Sequence, residues 1–182
     1  PFWGFLIFNI YSIQILSGNY LYIVLGIFFL SSVVLPLYII MSLKRAGVVH
    51  TYEMHTLEER RWPLLAASAL LVANYYLMQR IQVSGFFQVY FLATAVAALA
   101  ASAISIFYKI SLHTLAIGFL FGIGILLSRV SAADLRLYLM MVVLLGGVVG
   151  TARYILKAHT RAQIYLGFIV GTLVGILFSC IL

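Results

Sequence analysis

The sequence predicts an all-α integral membrane protein, built as a bundle of six to seven transmembrane helices. Of its 182 residues, 65% are hydrophobic and 8% are charged, whereas soluble domains are about half apolar and a quarter charged. Mean hydropathy is +1.15. The apolar stretches lack the alternation of polar and apolar residues that a transmembrane β-strand requires. Helices are therefore the predicted spans.

Seven apolar segments approach the roughly 20 residues that a helix needs to cross a bilayer. They are 2–16, 20–43, 63–83, 86–108, 112–128, 135–157 and 162–182. Most links between them are short, and we predict one transmembrane domain over 1–182 with a polar loop at 44–62. We expect Pro63 to close this loop in the first turn of the next helix. The chain begins at Pro1 inside an apolar run, so we expect further residues upstream.

Polar side chains gather at the ends of these segments in three places. Two predicted spans separate each cluster from the next, so all three are expected on one membrane face. The clusters are Arg60 with Arg61, Lys109 with Ser111 and His113, and Arg153 with His159. That face holds eight Lys and Arg residues and the other holds three. The excess favours the cytoplasmic side, but up to four of the eight can serve a ligand, so the orientation stays open.

The residue types in these clusters predict a phosphate site. Arginine binds phosphate oxygens with paired hydrogen bonds, and a helix start offers free N–H groups to the same anion. His159 is a candidate nucleophile and His113 a candidate acid that protonates the leaving alkoxide. The sequence has no glycine-rich nucleotide loop, paired-acid metal motif or zinc-ligand spacing. We expect no metal or other cofactor and no nucleic-acid partner.

Three stretches resemble the motifs of the type-2 phosphatidic acid phosphatase (lipid phosphate phosphatase) superfamily. Ile110-Ser111-Leu112-His113-Thr114 is similar to Pro-Ser-Gly-His, and Arg153-x5-His159-x3-Gln163 is similar to Arg-x5-His-x3-Asp. Glu59-Arg60-Arg61-Trp62-Pro63 loosely resembles Lys-x6-Arg-Pro, although Met54 stands where the lysine belongs. The chain is also similar to a small membrane-protein branch that reads Lys-Ile-Ser-x-His with Gln in place of the third-motif Asp.

The resemblance implies a membrane phosphatase that acts on a lipid or polyprenyl phosphate through a phosphohistidine at His159. His113 and Gln163 complete the implied catalytic set. The implied phosphate-binding residues are Arg153, Lys109, Ser111, Arg60 and Arg61. Gln163 can orient the imidazole, but it lacks the charge of Asp. In other hydrolases with an oriented histidine, removing the equivalent carboxylate lowers turnover by roughly 10⁴-fold.

Other functions remain open on the sequence alone. A weak or inactive relative would bind anionic lipid headgroups or scaffold a membrane complex. A haem-binding bundle would use His113 and His159 as axial ligands. A prenyl transferase is disfavoured because the chain has one Asp. The expected partners are a lipid or polyprenyl phosphate, membrane lipids, and a homo-oligomer or membrane complex, in the bacterial inner (cytoplasmic) membrane.

Glycines recur at four-residue spacing in two of the predicted spans. They are Gly118 and Gly122 in one, and Gly167, Gly171 and Gly175 in the other. Small residues at this spacing allow two helix backbones to approach closely. The pattern therefore predicts tight helix packing, with oligomerisation as the alternative.

Overall fold

The computed structural model describes residues 22, 25–27, 29–50, 57–82, 85–130 and 134–178. Over these ranges the chain is helical and contains no β-strand, which confirms the all-α prediction. The predicted segment 2–16 lies outside the described residues. The chain divides into two compact units, Pro1–Ser102 and Ala103–Leu182.

Six α-helices follow one another along the described chain. They are α1 Leu35–Arg45, α2 Leu57–Arg80, α3 Gly85–Ile104, α4 Leu112–Val130, α5 Arg136–Ile155 and α6 Arg161–Leu177. A π-helical turn, Leu30–Val34, leads directly into α1. Helices α3, α4 and α5 begin and end within four residues of the predicted segments.

The start of α2 corrects the predicted loop 44–62. The helix begins at Leu57, six residues early, so Pro63 lies inside the helix and not in its first turn. Leu, Glu and Arg are good helix formers, and acidic residues are favourable near a helix start. The backbone N–H and Nδ1 of His50 lie 3.1 and 2.9 Å from Oε1 of Glu59, which ties the end of the described link to α2.

The first unit joins α2 and α3 through small polar side chains. The hydroxyl oxygens of Ser68 and Ser102 lie 3.4 Å apart. Each hydroxyl also contacts a carbonyl one turn earlier in its own helix, Leu64 at 2.7 Å and Ala98 at 2.8 Å. Serines of this kind satisfy their polar groups locally and leave little bulk between helices.

In the second unit, α4 and α6 pack backbone against backbone. A Cβ atom on Gly167 would lie 2.6 Å from both the carbonyl oxygen of Ser111 and Oγ1 of Thr114. A Cβ on Gly171 would overlap the carbonyl oxygen of Leu115, and one on Gly118 would overlap that of Phe168. These contacts confirm the tight packing that the glycine spacing predicts.

The contacts also give the directions of the three helices in this unit. Along α4 and α6, residue 111 faces 167, residue 115 faces 171, and residue 119 faces 175, so the two helices are parallel. Gly124 faces Tyr138 while Gly150 lies near Thr114, so α5 runs antiparallel to α4. The starts of α4 and α6 and the end of α5 therefore lie together.

Two of the described helices are long and apolar enough to cross a bilayer. Leu112–Arg129 and Arg136–Ile155 each have a mean hydropathy of 1.6. Half of the first stretch is buried, against 11% of the second, so α5 exposes most of its surface. Two shorter apolar helices are Gln88–Ile104 and Arg161–Leu177.

Substituting Gly171 should separate α4 from α6. Gly171→Ala places a methyl group against the carbonyl of Leu115, and overpacking of this kind costs about 1–3 kcal/mol. The matched control is Gly147→Ala, because a Cβ there meets nothing within 4 Å and alanine gains about 0.5–1 kcal/mol in a helix. Thermal unfolding in detergent measures both; equal melting temperatures would contradict the packing described here.

Candidate functional site

The first residues of α4 and α6 are hydrogen-bonded to each other. The backbone N–H of Ser111 donates to the carbonyl oxygen of Gln163 at 3.3 Å. Oγ1 of Thr114 lies 3.0 Å from the carbonyl oxygen of Ile164 and 3.1 Å from that of Ser111. Since backbone carbonyls accept, the threonine hydroxyl is the donor. We call this end of the helix pair, with Arg153 at the end of α5, the helix-start site.

Ser111 is the N-cap of α4. Its side chain is fully buried, and Oγ accepts from the backbone N–H of Thr114 at 3.5 Å. An N-cap hydroxyl satisfies one of the free N–H groups in the first helical turn. Ser111 thus has a structural function, and its predicted role in phosphate binding stays a prediction.

A capping box begins α6. The side chain of Thr160 accepts from the backbone N–H of Gln163 at 3.4 Å, and Oε1 of Gln163 accepts from the backbone N–H of Thr160 at 3.1 Å. The sequence signal for this motif is Ser or Thr followed three residues later by Glu or Gln. Thr160-Arg161-Ala162-Gln163 fits this signal, so the capping role of Gln163 is readable from the sequence, whereas the motif resemblance assigns Gln163 only to His159.

The same amide oxygen orients His159. The side chain of His159 is buried, and its Nδ1 lies 3.1 Å from Oε1 of Gln163. Because Oε1 also faces the N–H of Thr160, the atom at this position must be the oxygen. Nδ1 therefore carries the proton in the neutral ring, and Nε2 holds the lone pair. This is the tautomer that a nucleophilic Nε2 requires.

The link from α5 to α6 wraps back onto Arg153. The N–H groups of Ala158 and His159 both point to the carbonyl oxygen of Arg153, at 3.1 and 3.4 Å, and Lys157 N–H donates to Tyr154 at 3.0 Å. This pattern is a Schellman motif, whose left-handed residue is usually glycine. Here it is Lys157, with φ of 52°. The turn holds His159 next to the last turn of α5.

The side chain of Arg153 has an unused donor. Its Nε is buried and meets no hydrogen-bond acceptor in the described part of the chain. A buried donor without an acceptor costs about 1–3 kcal/mol. An anion that binds at the helix-start site would remove that cost.

Lys109 and His113 stand at the start of α4. Lys109 is half-buried, and His113, the second residue of the helix, is exposed. Both have interaction partners in the structure. Arg60 and Arg61 lie in the first turns of α2, in the first unit, and Arg60 is buried there. Their part in phosphate binding stays a prediction.

Charge is unevenly distributed along the second unit. From residue 103 onward the sequence has six Lys and Arg residues and one acidic residue, Asp134. Asp134 accepts from Arg136 at the start of α5, the end remote from the helix-start site. Four cations lie near the starts of α4 and α6 and the end of α5: Lys109, Arg153, Lys157 and Arg161. The arrangement favours an anionic ligand.

The donor set offers little to a metal ion. No three His, Cys, Asp or Glu side chains lie close enough to hold one, within the ranges that the structure describes. The residues at the helix-start site are instead hydrogen-bond donors and cations, which suit phosphate oxygens.

Comparisons with known proteins add no relative: no protein-family model matches the chain, and no curated protein or solved structure matches it. The helix-start site is therefore interpreted from its own geometry.

Replacing Lys157 should stabilise the turn that holds His159. Lys157→Gly removes a side chain from a left-handed backbone conformation, which costs a non-glycine residue roughly 1–2 kcal/mol. We expect a higher melting temperature in thermal unfolding. Lys157→Ala is the control, since it removes the same charge and keeps the strained Cβ. An equal gain from both variants would mean that charge, not backbone strain, is responsible.

Proposed function

We propose that the chain is an integral membrane protein that hydrolyses a lipid or polyprenyl phosphate at the helix-start site. The observation that carries the catalytic part is the hydrogen bond from Nδ1 of His159 to Oε1 of Gln163. It selects the nucleophilic tautomer of a buried histidine beside Arg153. The resemblance to lipid phosphate phosphatases assigns the same role to His159.

The membrane part is supported by the surface of α5. Leu137, Leu144 and Val148 are each more than 60% exposed. Apolar area on this scale marks contact with lipid or with another protein. With α4 and α5 each long enough to span the hydrocarbon core, the bundle of six to seven transmembrane helices and the bacterial inner membrane remain our proposal for the whole chain.

The proposed reaction has two steps. Nε2 of His159 attacks phosphorus, the bond from phosphorus to the lipid oxygen breaks, and protonated His113 donates its proton to the leaving alkoxide. Water then attacks the phosphohistidine, the P–N bond breaks, and His113 accepts a proton from the water. Inorganic phosphate and the lipid alcohol are the products, and His159 returns to its neutral form.

The cations stabilise the charge that develops on phosphorus. Arg153 offers its buried Nε–H to a phosphate oxygen, and Lys109 adds a positive charge at the start of α4. The partial positive charge at the start of a helix also favours an anion there. Groups held in place before the reaction stabilise a transition state without reorganising.

A second candidate follows from Gln163. Its amide is neutral and already serves the cap of α6, so a protein that binds the phosphorylated headgroup without turnover has the same geometry. Binding that depends on Arg153, in a protein that releases no phosphate, would favour this candidate.

His159→Ala tests the nucleophile. The purified protein is incubated in vesicles with a lipid monophosphate or diphosphate labelled at phosphorus. We expect phosphate release and an acid-labile phosphoprotein from the unmodified chain, and neither from His159→Ala. His50→Ala is the control, because His50 is an exposed residue of the first unit. Equal phosphate release by all three proteins would show that His159 is not the nucleophile.

Gln163→Glu tests the missing charge. Glutamate preserves the acceptor of the capping box and adds a carboxylate that stabilises the imidazolium. We expect turnover to rise by less than the roughly 10⁴-fold that separates Asp from an amide in a Ser-His-Asp triad. That loss includes the wrong histidine tautomer, which Oε1 of Gln163 already avoids. Gln163→Ala removes both the cap and the orienting oxygen, so it should lower turnover and stability together. A fall in turnover with Gln163→Glu would contradict the proposed electrostatic role.

A further inference from the structure

A groove runs along the outer side of α5 where it meets α6. Its volume is about 240 Å³, which is less than a pocket for a whole drug-sized ligand and suits one part of an elongated molecule. On α5 it is lined by Gly146, Gly147 and Gly150 and, nearer the end of the helix, by Thr151 and Tyr154. On α6 it is lined by Arg161, Ile164 and Tyr165.

The polarity of the groove changes along its length. Gly146 and Tyr154 are eight residues apart on α5, which corresponds to roughly 12 Å along a helix. The glycine end lies towards the middle of α5, where the three glycines contribute no polar side chain. Tyr165 of α6 also lines the groove, about one helical turn beyond Arg161. The other end lies at the last turn of α5 and carries a hydroxyl, a phenol and a guanidinium. An elongated molecule with an apolar tail and a polar head matches this order.

Arg161 sets the charge of the polar end. Its guanidinium carbon lies 5.0 Å from the centre of the Tyr154 ring. The sequence from residue 103 onward has one acidic side chain, Asp134, which lies just before the start of α5 and thus away from Arg161. The described structure gives Arg161 no acidic partner, and its planar donors suit phosphate oxygens.

We propose that this groove holds the part of one acyl chain nearest the headgroup of an anionic phospholipid from the surrounding bilayer, with the lipid phosphate on Arg161. The proposal rests on the membrane part of the proposed function and is independent of catalysis at His159. A second copy of the chain fits the groove less well. A copy inserted in the same orientation would bring its own Lys157 and Arg161 to the same level, and like charges repel.

Two pairs of variants separate the groove from the rest of the surface. Gly147→Leu adds a bulky side chain to the groove lining, and the Cβ atom that begins it meets nothing within 4 Å. Val148→Leu is its control, since Val148 is exposed on the same helix and does not line the groove. Arg161→Gln removes the proposed phosphate contact, and Lys157→Gln removes the same charge from a neighbour outside the groove.

The full chain in detergent is titrated with phosphatidylglycerol or phosphatidylcholine, and native mass spectrometry counts the bound lipids. We expect one phosphatidylglycerol to bind in preference to phosphatidylcholine. Gly147→Leu should lose this lipid, whereas Val148→Leu keeps it. Arg161→Gln should weaken phosphatidylglycerol binding about tenfold, as for the loss of one charge-assisted hydrogen bond, while Lys157→Gln retains the preference.

Several outcomes would overturn the proposal. They are equal binding by Gly147→Leu and its control, an unchanged preference in Arg161→Gln, or a dimer that Gly147→Leu abolishes in the absence of lipid. Helical circular dichroism and a melting temperature verify that each variant is folded, and Arg161→Gln tests the site even if Gly147→Leu does not fold. His159→Ala should bind phosphatidylglycerol normally, because the groove is independent of the proposed catalysis. A chain that stays soluble without detergent would contradict the membrane placement, on which this proposal rests.

Discussion

The close contact between α4 and α6 positions everything else in the second unit. Because Gly118, Gly167 and Gly171 have no side chains, the two backbones approach until carbonyl oxygens lie where Cβ atoms would be. Within a bilayer, lipid tails are as apolar as leucine, so association depends on this van der Waals contact and on hydrogen bonds between helices. Parallel packing at this distance brings the N–H of Ser111 to the carbonyl of Gln163.

Stability and proposed chemistry share atoms at the helix-start site. Oε1 of Gln163 accepts from the backbone of Thr160 and from the ring of His159. The first contact caps α6 and the second sets the tautomer of a buried imidazole. A change at Gln163 therefore affects the folding of α6 and the orientation of His159 at once. Arg153 differs, because its buried Nε has no acceptor within the described chain and so adds no hydrogen bond to the fold.

The distribution of charge connects the helix-start site with the groove on α5. Positive residues gather where α4 and α6 begin, while Asp134 and its partner Arg136 lie at the other end of the unit. Such an excess is unfavourable near an apolar phase unless anions or water compensate it. In the membrane placement proposed above, phosphate groups at the bilayer surface would supply that compensation. The same excess of positive charge thus supports both proposals, namely a phosphorylated substrate at His159 and the phosphate of a bilayer lipid at Arg161.

Hydropathy alone placed α3, α4 and α5 within four residues, because long apolar runs have few alternatives to a helix. Hydropathy misplaced the start of α2, because residues 57–62 are mostly polar and yet helical. Hydropathy indicates the environment of the side chains and not the conformation of the backbone. Glycine spacing predicted close packing. Tertiary structure alone decided which helices meet and in which direction, because those contacts join atoms that are distant in sequence. It also decided which nitrogen of His159 carries the proton, because that depends on the exact register of the cap at the start of α6.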